Sequence, residues 1–87
     1  MKEDPDQIIL QVGHRIAELR QGLGISQTDL AHKLGVSPQY IQRVERGDQN
    51  LTLRTMAKLA AALEARMLDL VMVPETTRGY RERPGKR

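Results

Sequence analysis

The sequence predicts a mainly α-helical fold of four to five short helices, and three observations lead there. Aliphatic residues recur at intervals of three and four along most of the chain, the period of one helix face. There is no Phe or Trp and only two Tyr, Tyr40 and Tyr80, so the core is Leu, Ile, Val, Met and Ala, which suits a helical bundle better than a sandwich or barrel. Capping residues and glycines interrupt the pattern often, which keeps each helix brief. A chain of 87 residues forms one compact unit rather than two.

Ile8, Ile9, Val12, Ile16, Leu19 and Leu23 lie at helical spacing and predict a first helix from about Pro5 to Gln21, ended by Gly22-Leu23-Gly24. Ser26 followed three residues later by Asp29 is an N-cap with an acid placed to return the hydrogen bond. Leu30, Ala31 and Leu34 form the buried stripe of this second helix, and Gly35 ends it. After Gly35 and Val36, Ser37 is again a good N-cap, and Pro38 suits the first helical position, where its missing N–H is not needed. The third helix runs to Arg46 and closes at Gly47. Thr52 caps a fourth, with Leu53, Met56, Ala57, Leu59, Ala60 and Leu63 inward, reaching about Glu64.

Met67 to Val73 reads differently. It is apolar apart from Asp69, rich in Val towards its end, closed by Pro74, and preceded by no Ser, Thr, Asp or Asn at the capping position. This pattern favours one short C-terminal β-strand over a fifth helix. Either element leaves Met67, Leu68, Leu70, Val71, Met72 and Val73 with an apolar face that a small domain covers incompletely, so these residues are candidates for a homodimer interface. The expected organisation is one domain over residues 1–73, its segment 65–73 serving dimerisation, followed by a flexible basic tail over 74–87.

Composition removes several function classes. Without cysteine there is no disulfide, no thiolate nucleophile and no Cys-ligated zinc. No apolar run approaches a membrane span, and the acidic start (Glu3, Asp4, Asp6) is unlike a secretory signal, so a cytoplasmic protein is expected. His14, His32, Asp29 and Ser26 are the conceivable parts of an enzyme, but no metal or nucleophile motif frames them; no catalysis, cofactor or metal is expected. The net charge of +3 lies in the tail: Lys and Arg balance Asp and Glu at nine each up to Val73, and number five against two beyond it. Overall charge is therefore a weak argument for nucleic acid, and the direction of individual side chains must supply it.

Two short helices joined by a tight glycine-containing turn describe a helix-turn-helix, whose second helix can lie in the DNA major groove. On the third helix, Ile41 and Val44 can anchor one face. Gln39, Gln42, Arg43 and Arg46 fall at i, i+3, i+4 and i+7 on another, without an acid among them. Gln and Arg carry paired donors and acceptors that match adenine and guanine edges, whereas an ordinary solvated face mixes signs.

The stretch Ser26-Gln-Thr-Asp-Leu-Ala-His-Lys-Leu-Gly-Val-Ser-Pro-Gln-Tyr-Ile-Gln-Arg-Val-Glu-Arg-Gly47, continued by Thr52 to Leu63, resembles the phage repressor and Cro family, the XRE type. The resemblance covers about two-thirds of the chain and implies a four- or five-helix regulator, usually a dimeric repressor on double-stranded DNA. By position it implies that Gln39 and Arg43 read bases with Gln42 beside them, and that Gln27 holds a backbone phosphate at the helix N-terminus. Ser37, Tyr40, Arg46, Asn50 and Arg54 are the further backbone-contact candidates, with a half-buried packing role equally open to Tyr40. Pro38 departs from a family position that often reads a base. Asp48, Gln49 and Asn50 stand where relatives often carry cations, so phosphate affinity from that loop is expected to be modest. Arg20 and Glu45 match a pair that forms a partly buried salt bridge in relatives. A hydrophobic strand followed by a polar tail also resembles antitoxins of toxin-antitoxin modules, which gives an alternative partner, a toxin protein.

Overall fold

The computed structural model describes residues 3–73. Five helices follow one another, α1 (Pro5–Gly22), α2 (Gln27–Leu34), α3 (Pro38–Arg46), α4 (Leu53–Ala62) and α5 (Met67–Leu70), with no strand among the described residues. Positions 1–2 and the tail over 74–87 lie outside them.

Local chemistry explains each helix start. Asp4 Oδ1 accepts from the Asp6 N–H at 3.0 Å ahead of α1, and Pro5 fills its first position. Ser26 Oγ accepts from the Asp29 N–H at 2.9 Å while Asp29 Oδ2 accepts from the Ser26 N–H at 3.0 Å, a complete capping box. Those bonds to Ser26 hold the Asp29 carboxyl below its ordinary pKa. Ser37 Oγ and Thr52 Oγ1 cap α3 and α4 by accepting from the Tyr40 and Thr55 N–H groups, each at 3.1 Å, without a reciprocal acid.

The helices close on an aliphatic core in which every helix takes part: Val12 and Ile16 from α1, Leu30 and Ala31 from α2, Ile41 and Val44 from α3, Leu59 and Ala60 from α4 with Leu63 just after it, and Leu70 from α5. α1 is the spine of this arrangement and packs on both α3 and α5. Its approach to α3 requires a glycine. A Cβ on Gly13 would collide with the Val44 carbonyl oxygen and lie 3.0 Å from that of Glu45. Gly47 is constrained twice, by a left-handed φ of +80° and by Leu10 Cα, 2.9 Å from where its Cβ would stand.

The C-terminal segment corrects the strand expectation, because Met67–Leu70 is one helical turn. The cap that the sequence lacks is supplied from elsewhere. Asp69 Oδ2 accepts from the Arg66 N–H at 2.8 Å, which also holds the Asp69 carboxyl below its usual pKa. From α1, Arg15 Nε donates to the Asp69 carbonyl at 2.7 Å and Gln11 Nε2 to the Val71 carbonyl at 2.9 Å, satisfying groups a helix end leaves open. The helical period turns Leu70 fully into the core and Met67 partly against it, whereas Leu68, Val71, Met72 and Val73 face solvent. Leu70 therefore has no surface to give to an interface between chains. This corrects its place among the interface candidates.

Glycine-to-alanine changes separate close packing from simple helix ending. Gly13→Ala forces α1 away from α3 and is expected to destabilise by about 1–3 kcal/mol. Gly22→Ala, whose Cβ meets nothing within 4 Å, is expected to be neutral or slightly stabilising. Urea denaturation midpoints of the two variants check the contrast.

Candidate nucleic-acid interface

The pair α2 and α3, joined through Gly35, Val36 and Ser37, forms the helix-turn-helix. Ile41 and Val44 are buried and pin the inner face of α3, so Gln39, Gln42, Arg43 and Arg46 are turned to solvent. The acid on this helix, Glu45, points the other way and is 8% exposed. The outward face is left without negative charge from α3 itself.

Burial of Glu45 is supported by three donors from two other helices. Arg20 Nε donates to Glu45 Oε2 at 2.7 Å and Arg20 Nη2 to Oε1 at 3.2 Å, a two-pronged pairing. Gln27 Nε2 donates to the same Oε1 at 2.9 Å, and Arg20 Nη1 reaches the Ile25 carbonyl at 2.8 Å. One carboxylate thus ties α1, the start of α2 and the end of α3 together. Removing one partner of such a buried pair typically costs about 3–5 kcal/mol, since the other charge is left in a poor solvent.

Of the other sequence candidates, Ser37 caps α3 through its hydroxyl oxygen, which accepts from Tyr40 N–H and leaves the hydroxyl proton to donate. Tyr40 is half-buried against the core, and the Arg43 guanidinium carbon lies 5.8 Å from its ring centre. Arg43 Nε also donates to Gln49 Oε1 at 3.3 Å. Arg46 pairs with Asp48 at 3.1 Å, both well exposed, an interaction of small energetic weight. Asn50 and Arg54 are exposed, before and within the first turn of α4. Gln27 is half-buried by its bond to Glu45.

Three roles are absent from the sequence reading: those of Gln11 and Arg15, which hold α5, and that of Gln49 as the acceptor for Arg43. A signal for the first two exists. Gln11 and Arg15 are i, i+4 neighbours, so their donors lie on one side of α1 and can serve one neighbouring segment.

A helix-turn-helix on a five-helix core, with an outward Gln and Arg face free of acid, defines the DNA-binding domain of a transcriptional regulator. A helix-turn-helix family model, HTH_3, matches residues 16–70, and the chain belongs to that family, the XRE type. It is similar to an uncharacterised HTH-type transcriptional regulator, y4dJ, of Sinorhizobium fredii, at 36% identity over 76% of this chain and 86% of that one. A second relative, an uncharacterised HTH-type transcriptional regulator of Archaeoglobus fulgidus, is 41% identical over 64% of this chain and 80% of its own. Among solved structures, the restriction-modification controller protein C.AhdI from Aeromonas hydrophila superposes with a TM-score of 0.68 at 39% identity, covering 71% of this chain and 94% of that one. The clp gene regulator ClgR from Corynebacterium glutamicum gives 0.72 at 26% identity, over 74% and 82%. No described helix is long and apolar enough to cross a membrane.

His14 makes the site's stability depend on pH. Burial lowers its pKa below the ordinary histidine value of about 6.5, and the nearby Glu45 carboxylate offsets part of that. The unfolded chain therefore binds this proton more readily than the folded one. His14's contribution is intact above about pH 6.5 and is lost as pH falls from there through the folded-state pKa. His14→Gln is expected to flatten the decline in melting temperature between about pH 7 and about pH 5.5, above the range in which ordinary carboxylates titrate.

Proposed function

We propose that this chain is a homodimeric transcriptional repressor that binds a palindromic operator by laying α3 of each protomer in the major groove. The observation that carries the reading is the solvent face of α3, where Gln39, Gln42 and Arg43 stand together on a helix whose angle is fixed through Glu45. These three contact base edges. Gln27, Ser37, Tyr40, Arg46, Asn50 and Arg54 contact the sugar-phosphate backbone, with Gln27 using the amide proton not given to Glu45. Likeness to a controller protein and to a gene regulator supports regulation of transcription.

The dimer reading rests on surface chemistry. Leu68 and Val73 are each 66% exposed, with Val71 and Met72 beside them, an apolar patch that favours a covering partner. An apolar cleft of about 370 Å³, lined by Ile8, Ile9, Leu53, Met56 and Val71, adjoins the patch through Val71. A second copy related by two-fold symmetry covers it and sets the two recognition helices about 34 Å apart, one DNA turn. The antitoxin alternative loses the feature that suggested it, since the strand is replaced by α5.

Two experiments test these statements. Arg43→Ala or Gln39→Ala is expected to weaken cognate binding by about 1–3 kcal/mol and to relax preference at one base pair, whereas Gln27→Ala weakens all duplexes alike. Unaltered sequence preference in Arg43→Ala would remove α3 as the reader. For assembly, sedimentation is expected to give a dimer for the wild type at tens of micromolar, a coarse scale of useful affinity, and a folded monomer for Val71→Lys. A wild type that sediments as a monomer there contradicts the dimer.

A further inference from the structure

We propose that Gln49 is a positioning residue for sequence readout, holding Arg43 so that the end of its guanidinium, Nη1 and Nη2, is presented to a guanine. This rests on the assignment of α3 as the reading helix and adds a residue outside it.

An arginine can present two hydrogen-bonding edges, a side edge of Nε with one Nη and an end edge of both Nη groups. Gln49 Oε1 accepts from Arg43 Nε at 3.3 Å, which engages the side edge. The end edge then carries the paired donors that match guanine O6 and N7. Tyr40 limits the swing of the group from another direction, with its ring centre 5.8 Å from the guanidinium carbon, within range of a cation–π attraction.

The place of Gln49 is itself fixed. The left-handed Gly47 turns the chain back over the end of α3, and its Cβ position is closed by Leu10. The Gly47 N–H donates to the Val44 carbonyl at 3.1 Å and the Asp48 N–H to the Arg43 carbonyl at 2.9 Å. The loop is thereby anchored on the backbone of the very residue that Gln49 holds by its side chain. A neutral amide suits this task, because it fixes the guanidinium without cancelling the charge that draws it to DNA. A carboxylate would hold Arg43 and repel phosphates, and a lysine would repel Arg43.

The test uses the full-length protein and a duplex selected by it from a randomised pool, compared with the same duplex carrying the Arg43-dependent base pair exchanged. Gln49→Met keeps length and loses the acceptor. It is expected to reduce the preference for the selected base pair about threefold to tenfold, the range of one hydrogen bond, with an unchanged melting temperature. Gln49→Glu keeps the acceptor and is expected to retain the preference while binding all duplexes more weakly. In an Arg43→Ala background, Gln49→Met is expected to change nothing further. An equal loss in that background, or a Gln49→Met protein with the wild-type preference, overturns the assignment while leaving α3 as the reader. If Arg43→Ala itself keeps the preference, the reading of α3 fails and the proposal falls with it.

Discussion

A carboxylate taken out of water has to be met by donors from its own fold, and the burial of Glu45 imposes that requirement on three helices at once. Arg20 supplies two N–H groups from α1 and Gln27 a third from the first residue of α2. The geometry of α3 follows. With Glu45 drawn inward, the helix period turns Gln39, Gln42, Arg43 and Arg46 outward, and the close approach of α1 at Gly13 leaves little freedom for α3 to tilt. The charge that would have opposed DNA is thereby made to orient the helix. His14 is drawn into the same neighbourhood, where burial favours its neutral form and the Glu45 charge pulls the other way.

The second dependence runs along α1 in the other direction. A helix of four residues has no stability of its own, since nucleation is unfavourable and one turn adds little propagation. α5 exists because Leu70 is buried and because Arg15 and Gln11 accept the task of bonding its terminal carbonyls. Arg15 also pairs with Glu18 at 2.7 Å, so its charge is met while its Nε serves the backbone. The apolar residues after Leu70 then fall outside the core because the turn that buries Leu70 ends there. One residue held inside and its neighbours left outside are two results of the same packing.

What was legible in the sequence is what local chemistry decides. Ser26 with Asp29, Ser37 with Pro38, and Thr52 mark helix starts within three residues of themselves, and all three starts fall where those residues stand. The strand expectation for α5 fails because two of its three polar partners lie 54 and 60 positions away, and because Val71 and Val73 lend a strand-like composition to a segment whose helix ends at Leu70. The Arg20 and Glu45 pairing came from resemblance rather than spacing, as nothing in a separation of 25 residues announces a contact. The sequence marks Gln49 only as a position without a cation, and its role as an acceptor for Arg43 depends on a backward turn at Gly47 that a residue pattern does not give.

Charge placement suggests how affinity and specificity divide. Through Val73 positive and negative residues balance, and two of the cations, Arg15 and Arg20, are committed inside the fold. Non-specific DNA binding scales with the number of phosphates neutralised, so a balanced domain of this size starts from a weak sequence-independent attraction. Arg43 is differently placed, because its contacts with Tyr40 and Gln49 carry no opposing charge and leave its own uncancelled. On the proposed reading, discrimination comes mainly from a few oriented side chains. Orientation then matters more than charge count, which is why the buried anchor at Glu45 and the turn at Gly47 have functional weight although neither faces the groove.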